Sequence, residues 1–426
     1  MSESKTHLVQ IEKPVYGGAS LARIEGKAVF VPFALPGEQA RIRVVEEKRG
    51  YATAEVEEIV SPAAERVTPG CKHFGACGGC SYQHANYEAQ LGFKKAILHE
   101  TLERAGVSLP VEVEVVSREP WGYRNRIRLA FDVKGNIGYR GRRSHAVVPI
   151  EECPIAAPVL TEAGFALGRA LRSAAPGLRP HELSLFCNAD QSAILASVFI
   201  PRPIKVRFED LAEAWHEQVP ALAGAEILAE GREGRQPRTI AHWGAESIAY
   251  RVAEFDYRVD QGSFFQVNRW LVDSLVERVA GAQRGELVWD LYAGVGLFAR
   301  RLSESFERVI AVESAPASIV ALRDNLKDRH AEAIRAETLS FLRRQGAERP
   351  DLVVVDPPRT GLGAETTAQL ARIGAPAIVY VSCDPATLAR DLHALTTSSY
   401  VIESIALVDL FPQTFHLETV VELRRA

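Results

Sequence analysis

Cys383 and Glu418 are the side chains of this chain best suited to covalent chemistry. Cys383 ends an apolar stretch at residues 380–382 and precedes a helix, the position at which an open α/β sheet presents side chains to a ligand crevice. Glu418 follows the last turn of the chain, and residues 290–296 have the form of a nucleotide-binding turn. A thiol, a carboxylate and a glycine turn on one sheet indicate covalent chemistry on a substrate held beside an adenosine-containing cofactor.

The start of a helix after Cys383 is expected to favour the thiolate, because backbone amides and the helix dipole stabilise negative charge there. A thiolate that adds to carbon 6 of a pyrimidine makes carbon 5 enolate-like, so that carbon 5 can attack a methyl group. A base must then remove the carbon 5 proton before the thiolate can leave. Glu418 is the candidate base, and His416 competes with it because its reference pKa lies nearer neutral.

The glycine turn predicts a site for S-adenosylmethionine (SAM). Gly294 and Gly296 allow a tight turn and close approach of the backbone to a ligand. Glu313 ends the next predicted strand, where a carboxylate can accept both ribose hydroxyls. Glu337 ends the strand after that and is either an acceptor for the adenine amino group or a solvated surface carboxylate. Asp356 closes a further strand on the same side, before two prolines that fix a rigid exit.

Alternating strand and helix patterns position these residues. From about residue 266, predicted strands at 286–292, 308–313, 351–356 and 377–382 alternate with predicted helices, which indicates a parallel sheet with helices on both faces. Strands 400–410 and 416–424 are joined by too few residues for a crossover helix, so that pair must be antiparallel. This layout is typical of a class I methyltransferase domain. Five short strands within residues 6–60 predict an OB-like β-barrel, and the α+β region between the two has no readable topology.

Four cysteines are candidate metal ligands. Cys71, Cys77 and Cys80 lie in one short glycine-containing segment, and Cys153 lies far along the chain. Four thiolates can hold either tetrahedral zinc or a [4Fe–4S] cluster. The glycines between close ligands suit a bulky cluster, and the absence of a second Cys-x2-Cys pair disfavours a zinc ribbon. Cys187 is expected to be a core residue.

The composition limits where RNA can bind. The chain has 426 residues and a net charge of −4, so it is not an electrostatic nucleic-acid binder as a whole. Residues 118–145 contain eight Lys or Arg with interleaved aromatic residues, a pattern that favours phosphate contacts and base stacking. We expect the target base to be flipped out or in a loop, with Phe264 or Phe265 lining its pocket. A cytoplasmic location is expected, because no apolar run could span a bilayer and the first ten residues are polar.

The motifs at residues 290–296, 355–359, 381–385 and 416–420 together resemble the RNA uracil-C5 methyltransferase family, which makes 5-methyluridine in tRNA or 23S ribosomal RNA with SAM. The resemblance implies Cys383 as nucleophile and Glu418 as base. It further implies a [4Fe–4S] cluster at the four cysteines. The SAM or substrate contacts that the family pattern implies, with the glycine turn included, are Gln266, Tyr292, Gly294, Glu313, Glu337 and Asp356.

The resemblance also divides the chain. Residues 1–62 resemble a TRAM-type OB-like RNA-binding barrel, residues 63–262 form a central domain with the four-cysteine site and the basic segment, and residues 263–426 form the class I methyltransferase domain. The four cysteines and the barrel favour 23S ribosomal RNA over tRNA as the partner, and no obligate protein partner is evident. Two other classes remain open: an RNA-binding or iron–sulfur protein with a degenerate methyltransferase domain, and a cytosine-C5 or exocyclic-amine methyltransferase.

Overall fold

The N-terminal segment closes into a five-stranded barrel. The computed structural model describes residues 6–175, 177–203, 207–231, 237–327, 329–346 and 348–426, so residues 1–5 of the predicted barrel segment lie outside the described residues. Neighbouring strands run in the order β1-β2-β3-β5-β4, and β4 pairs back with β1. Buried Ile11, Val31 and Ile42 fill the interior. The predicted OB-like barrel is confirmed, with strands β1 (Thr6–Val15), β2 (Ala19–Ile24), β3 (Lys27–Pro32), β4 (Gln39–Glu47) and β5 (Tyr51–Ser61).

The first helix and the sixth strand belong spatially to the C-terminal sheet. Helix α1 (Tyr87–Arg104) begins at Asn86, whose side chain accepts a hydrogen bond from the amide of Ala89. Its apolar side chains, including Leu98, pack into the core of that sheet. Strand β6 (Glu114–Val116) adds to the edge of the same sheet. Both elements lie within residues 63–262, so the packing crosses the predicted domain boundary at residue 262.

A seven-stranded sheet forms the centre of the molecule. The strands lie in the order β13-β12-β11-β10-β7-β8-β9, and two helices pack on it through a shared apolar core that includes Leu167 and Trp215. Strands β14 and β15 form a separate antiparallel ribbon. Cys187 ends β10 and is fully buried, as expected of a core residue. The elements are β7 (Arg126–Phe131), β8 (Ile137–Arg140), β9 (Val147–Pro149), α2 (Pro158–Ala174), β10 (Glu182–Cys187), β11 (Ile194–Ile200), α3 (Phe208–His216), β12 (Leu222–Ala229), β13 (Arg238–Gly244), β14 (Ser247–Val252) and β15 (Phe255–Asp260).

The C-terminal sheet has eight strands in the order β18-β17-β16-β19-β20-β22-β21-β6, and its two faces carry two apolar cores. Strands β16 to β20 are parallel, and β22 is antiparallel to both β20 and β21, which confirms the predicted parallel sheet with a final hairpin. A π-helical turn (Glu277–Gly281) follows α4. The elements are α4 (Val272–Val276), β16 (Gly285–Leu291), α5 (Leu297–Leu302), β17 (Phe306–Glu313), α6 (Pro316–Asn325), β18 (Ala331–Arg335), α7 (Thr338–Arg344), β19 (Leu352–Val355), α8 (Gly363–Ile373), β20 (Ala377–Ser382), α9 (Pro385–Thr397), β21 (Tyr400–Val408) and β22 (Thr419–Arg425).

The hairpin is joined by ten residues, 409–418, twice the length that the sequence pattern indicated. A buried ion pair anchors the start of this 409–418 loop: Lys94 Nζ lies 2.5 Å from Asp409 Oδ1, and both side chains are fully buried. Lys94 also donates to the carbonyl of Phe411, and the hydroxyl of Tyr87 donates to the second oxygen of Asp409. Helix α1 therefore holds the loop that ends at Glu418.

Further hydrogen bonds fix the middle of the loop. The amides of Ser81 and Tyr82 donate to the carbonyl of Gln413 at 2.9 and 3.0 Å. The hydroxyl of Tyr123 donates to the carbonyl of Pro412 at 3.0 Å. Two separate segments that both precede the central sheet thus converge on one loop. None of the helices within the described residues has the length and apolarity needed to cross a membrane.

Replacing Asp409 by Ala is expected to lower the free energy of unfolding by about 3–5 kcal/mol, because it leaves the buried Lys94 ammonium without its counter-charge. Urea titration followed by circular dichroism measures this change. Lys95→Ala is the matched control: it removes the neighbouring but exposed pair with Glu112 and should cost under about 1 kcal/mol. Equal losses in the two variants would contradict the role of the buried pair.

Candidate active site

The register of the last antiparallel pair brings Cys383 and Glu418 together. Ser382 at the end of β20 pairs with Thr419 at the start of β22, so the next residues outward, Cys383 and Glu418, lie at the same end of the two strands. The charge of Glu418 acts on the Cys383 thiol, which places the two groups near each other. Asp356, after the neighbouring strand β19, also lies close enough for its charge to act on both groups. The predicted thiol and carboxylate therefore share one edge of the sheet.

Glu418 is almost fully buried, and its pKa is well above the usual range for a carboxyl. Burial is the main cause, the charge of Asp356 adds to it, and the guanidinium of Arg359 opposes it. Asp356 itself has a pKa raised to about 7 by burial. Asp356 can therefore hold and release a proton near neutral pH beside the thiol, and the pKa of Glu418 is shifted in the same direction.

The expected stabilisation of a resting thiolate at Cys383 is wrong. Burial, followed by the charges of Glu418 and Asp356, raises the pKa of the thiol to about 12, although Arg359 lowers it. The first amides of α9 do not serve the sulfur, because Asp384 Oδ1 accepts from the amides of Ala386 and Thr387 at 3.0 Å each. The first amides of α9 are already bonded to the capping carboxylate of Asp384, so they do not stabilise a thiolate. The thiol therefore stays protonated at rest.

His416, the competing base, is held in a neutral and weakly basic state. Nδ1 of His416 lies 3.1 Å from Nη2 of Arg359, and since a guanidinium can only donate, Nδ1 must accept this hydrogen bond. Burial and the positive charge of Arg359 lower the pKa of His416 to about 4. The ring also packs against Phe415 at 4.3 Å between centroids. The geometry therefore favours Glu418 as the proton acceptor at this edge.

The glycine turn has the strained backbone that a close ligand contact requires. Tyr292, Gly294 and Gly296 all have positive φ values, of 65°, 57° and 88°. A Cβ added at Gly294 would meet open space, whereas one at Gly296 would lie 2.7 Å from a side-chain atom of Leu322. Gly296 is thus required by packing against α6, and Gly294 leaves room for a ligand.

Glu313 is hydrogen-bonded to the glycine turn at residues 292–296, beside which it was expected to lie. Its Oε2 accepts from the amide of Gly294 at 2.9 Å, and its Oε1 accepts from the amides of Ser314 and Ala315 at 2.6 Å each. The carboxylate therefore shapes the turn through three backbone bonds. A carboxylate has about four lone-pair sites, so capacity for a ligand hydroxyl remains.

Four predicted cofactor contacts line one cavity beside the turn: Gln266, Tyr292, Gly294 and Asp356. Gln266 Nε2 also donates to Asp356 Oδ2, at 3.5 Å. Glu337 is exposed at the start of α7 and does not line this cavity, although its charge acts on the Tyr292 phenol. The structure thus assembles four of the six residues around one space, with Glu313 supporting the turn and Glu337 at the periphery.

Asp290 is a candidate functional residue that the sequence analysis did not single out. It is fully buried at the end of β16, Oδ2 accepts from the amide of Ala299 at 2.9 Å, and Oδ1 has no hydrogen-bond partner among the described residues. Burial raises its pKa to about 8, and the charges of Asp356 and Glu313 add to the shift. The sequence feature that could have identified Asp290 is a carboxylate directly after the apolar residues of β16.

The two phenylalanines before Gln266 have different environments. Phe264 is 61% exposed and lines the same cavity as Gly294. Phe265 is buried against Tyr250, with ring centroids 4.4 Å apart, so its faces are already used in the core. Both rings line the cavity, and Phe264 is the exposed one of the pair, so it is the ring more open to a base.

The four cysteines surround one cavity of about 360 Å³. All six cysteines lie in the described residues, and none forms a disulfide. Burial raises the pKa of Cys80 to about 12, and Tyr139 donates to Cys153 Sγ at 3.5 Å. Within the described ranges, no group of three or more His, Cys, Asp or Glu side chains is arranged to hold a metal ion. The four sulfurs therefore line one cavity without forming a metal-ligand set within the described residues, and the expected [4Fe–4S] cluster is not shown by this geometry.

The basic segment at residues 118–145 is only partly a surface feature. Tyr123 and Phe131 are buried, so they cannot stack on RNA bases. Arg126 donates to the carbonyl of Ser263 and stacks over Phe186 at 4.5 Å. Five of the eight cations are exposed: Arg118, Arg128, Lys134, Arg140 and Arg143. Arg128 is already ion-paired with Glu182, at 2.6 Å.

Comparison with known proteins accounts for this arrangement. The family model described as "tRNA (Uracil-5-)-methyltransferase" matches residues 87–426, and the TRAM domain model matches residues 3–56. The chain belongs to the tRNA (uracil-5-)-methyltransferase family. The methyltransferase is 32% identical to an RNA methyltransferase of Thermotoga maritima, over 97% of this chain and 98% of the relative. It is also 32% identical to the 23S rRNA (uracil(1939)-C(5))-methyltransferase RlmD of Halomonas elongata, over 99% and 90%.

A solved structure has the same overall fold as the methyltransferase. The Pyrococcus abyssi tRNA (uracil-54, C5)-methyltransferase in complex with S-adenosyl-L-homocysteine is 28% identical, with a TM-score of 0.80 over 98% of this chain and 100% of that chain. The expectation of a SAM-dependent RNA uracil-5-methyltransferase with a TRAM barrel is therefore confirmed. The comparisons do not test the roles of individual residues, which stay predictions.

Asp290 should make the stability of the methyltransferase fall as pH rises. Its folded pKa of about 8 lies above the unfolded value of about 4, so the folded state binds a proton more tightly and this contribution is lost between pH 4 and 8. Asp290→Asn should remove this pH-dependent contribution. Between pH 5 and 8, the free energy of unfolding of the variant should therefore fall by about 2–4 kcal/mol less than that of the wild type. Urea titrations at several pH values measure this, and parallel curves for the two proteins would contradict it.

Proposed function

We propose that this enzyme methylates carbon 5 of a uridine in RNA through a covalent bond between Cys383 Sγ and carbon 6 of the base. The pairing of Ser382 with Thr419, which places Cys383 and Glu418 at the same end of the two strands, carries the proposal. Carbon 5 methylation needs both a nucleophile and a base at one site, and this edge of the sheet supplies both next to the glycine turn. When bound, SAM would supply the methyl group by cleavage of its S–CH3 bond, with S-adenosylhomocysteine as the leaving group.

The first step is loss of the thiol proton, because a thiol with a pKa of about 12 is a poor nucleophile at neutral pH. Asp356, with a pKa near 7, is the acceptor best matched to that task. The new Cys383–C6 bond moves electron density through the ring to carbon 5, which bonds to the methyl group. The Arg359 guanidinium faces this edge and offsets the negative charge that develops there.

Glu418 removes the carbon 5 proton in the last step, and the electron pair of that C–H bond re-forms the C5–C6 double bond as the sulfur leaves. The raised pKa of Glu418 makes its carboxylate a stronger base than an exposed one. His416 is a weaker candidate, because its Nδ1 lone pair is engaged by Arg359 and its pKa is about 4.

The cofactor contacts are proposed to be Gln266, Tyr292, Gly294, Glu313, Glu337 and Asp356. The cavity beside Gly294 supports four of them, and Glu313 is proposed to reach the ribose with the acceptor capacity that its amide bonds leave free. Glu337 is the most peripheral of the set.

The RNA is proposed to be 23S ribosomal RNA. The relative from Halomonas elongata that carries this activity in its name matches 99% of the chain, barrel included. tRNA is the second candidate, because the similar solved structure from Pyrococcus abyssi is a tRNA enzyme. The exposed cations of residues 118–145 and the ring of Phe264 are proposed to contact phosphates and a base.

Cys71, Cys77, Cys80 and Cys153 are proposed to hold a [4Fe–4S] cluster. The placement of all four cysteines on the lining of one cavity supports it. The methylation chemistry needs no electron transfer, so the cluster is assigned a structural role. It would tie the segment at residues 71–80 to the central sheet, next to the Ser81 and Tyr82 amides that hold Gln413.

Glu418→Gln is expected to accumulate a covalent protein–RNA complex, since the sulfur can leave only after the carbon 5 proton is removed. Denaturing gels of the variant incubated with SAM and labelled RNA measure the complex. Fragments of 23S ribosomal RNA should be trapped and tRNA transcripts should not.

Two matched variants control this experiment. Cys383→Ala and the double variant Cys383→Ala/Glu418→Gln should give neither complex nor 5-methyluridine, because no sulfur can add to carbon 6. Methyl transfer by Cys383→Ala would refute the covalent mechanism, and trapping of tRNA alone would support the second candidate substrate.

Cys77→Ser should lose the visible absorption of the purified protein, because it removes one of the four proposed ligands of the cluster. Absorption spectra together with iron and sulfide analysis measure this loss. Cys187→Ala is the control, because Cys187 is buried in β10 away from the cavity and its variant should keep the spectrum. Wild-type protein that contains zinc and no iron would overturn the cluster assignment.

A further inference from the structure

The turn between β1 and β2 of the barrel packs directly on the active-site segments. Gly17 and Gly18 in this turn have φ values of 104° and 84°, which favour glycine. A Cβ at Gly18 would lie 2.9 Å from Cβ of Ser81 and 3.2 Å from Cδ1 of Phe415. The turn therefore approaches the 409–418 loop as closely as backbone allows, and no side chain fits between them.

Tyr16, the first residue of this turn, contacts both segments that carry the proposed reactive groups. Its hydroxyl donates to Asp384 Oδ2 at 3.3 Å, and Asp384 follows Cys383 in the chain. Its ring meets the ring of Phe415 edge to face, with centroids 5.5 Å apart and planes at 86°. Phe415 lies three residues before Glu418. One barrel side chain thus links the Cys383 turn to the loop that presents Glu418.

The two oxygens of Asp384 have separate partners. Oδ1 caps α9, and Oδ2 accepts from the Tyr16 hydroxyl. Burial and the charge of Asp384 raise the pKa of Tyr16, so the phenol stays protonated and able to donate. Asp384 is thereby held at a fixed rotation, which also fixes the backbone that leads out of Cys383.

A second contact fixes how the barrel sits on the catalytic sheet. Lys13 in β1 forms an ion pair with Glu100 of α1, at 2.5 Å. Helix α1 in turn carries Lys94, which anchors Asp409. The barrel therefore meets the catalytic region at two separate points, and Tyr16 is the one that reaches the reactive edge.

We propose that Tyr16 is a positioning residue for methyl transfer, which holds the Cys383 turn and the 409–418 loop in register from the barrel. The proposal rests on the function proposed above. It gives the barrel a part in the chemical step in addition to any contact with RNA. Reacting groups displaced by about 1 Å can lose up to about a hundredfold in rate, so one lost hydrogen bond at this position has a measurable effect.

Tyr16→Phe tests the proposal, because it removes the hydroxyl and keeps the ring that packs on Phe415. Steady-state methylation of the RNA substrate should show kcat lowered about tenfold, with KM and the Kd for RNA unchanged. RNA that carries 5-fluorouridine gives a second readout: its carbon 5 substituent cannot leave as a proton, so the covalent complex accumulates and its rate of formation should fall by the same factor. Tyr51→Phe, elsewhere in the barrel, is the control and should match the wild type.

A double-mutant cycle with Asp384→Ser separates positioning from general damage. Serine keeps one oxygen that can cap α9 and has no second polar atom for Tyr16, so Tyr16→Phe should have little further effect in that background. An unchanged kcat in Tyr16→Phe, or a loss confined to RNA affinity, would overturn the proposal. If wild-type protein forms no complex with the fluorinated RNA while Cys383 is intact, the proposed function fails instead.

Discussion

The buried ion pair between Lys94 and Asp409 is the constraint on which the reactive edge depends. Two opposite charges that are both removed from water must stay together, because separating them would leave each one unsolvated. Lys94 belongs to α1 and Asp409 begins the loop that ends at Glu418, so this pair ties an early helix to the last hairpin. Tyr87 completes the coordination of Asp409 from the same helix. The position of the loop is therefore determined by residues some three hundred positions earlier in the chain.

The electrostatic character of the site follows from its burial. Burial disfavours the charged forms of Glu418, Asp356 and the Cys383 thiol. At rest the site therefore holds protons on these groups and does not carry three adjacent negative charges. Arg359 is the positive charge that makes an anion possible at this edge, and it also engages His416. With its pKa raised to about 12, the Cys383 thiol stays protonated near neutral pH, and a protonated thiol is a weak nucleophile.

The three parts of the chain cooperate through the 409–418 loop. The barrel reaches it through Gly18, the segment after the cysteines reaches it through the amides of Ser81 and Tyr82, and the central region reaches it through Tyr123. Domain boundaries drawn along the sequence therefore do not match the boundaries of packing. A loop that receives bonds from every part of the molecule is positioned only when all of them are folded.

The sequence by itself determined the barrel, the parallel sheet and its closing hairpin, and it named Cys383 and Glu418 as candidates, because hydrophobic periodicity and glycine turns are local signals. Only the tertiary structure decided the burial and the protonation of those groups. The raised pKa of Cys383 depends on burial and on carboxylates brought in from other strands, and the capping of α9 by Asp384 uses the amides that a local pattern assigns to the sulfur. The burial of Asp290 and the contact of Tyr16 with Asp384 were equally hidden, because burial and contacts between distant segments have no signature in a single stretch of sequence.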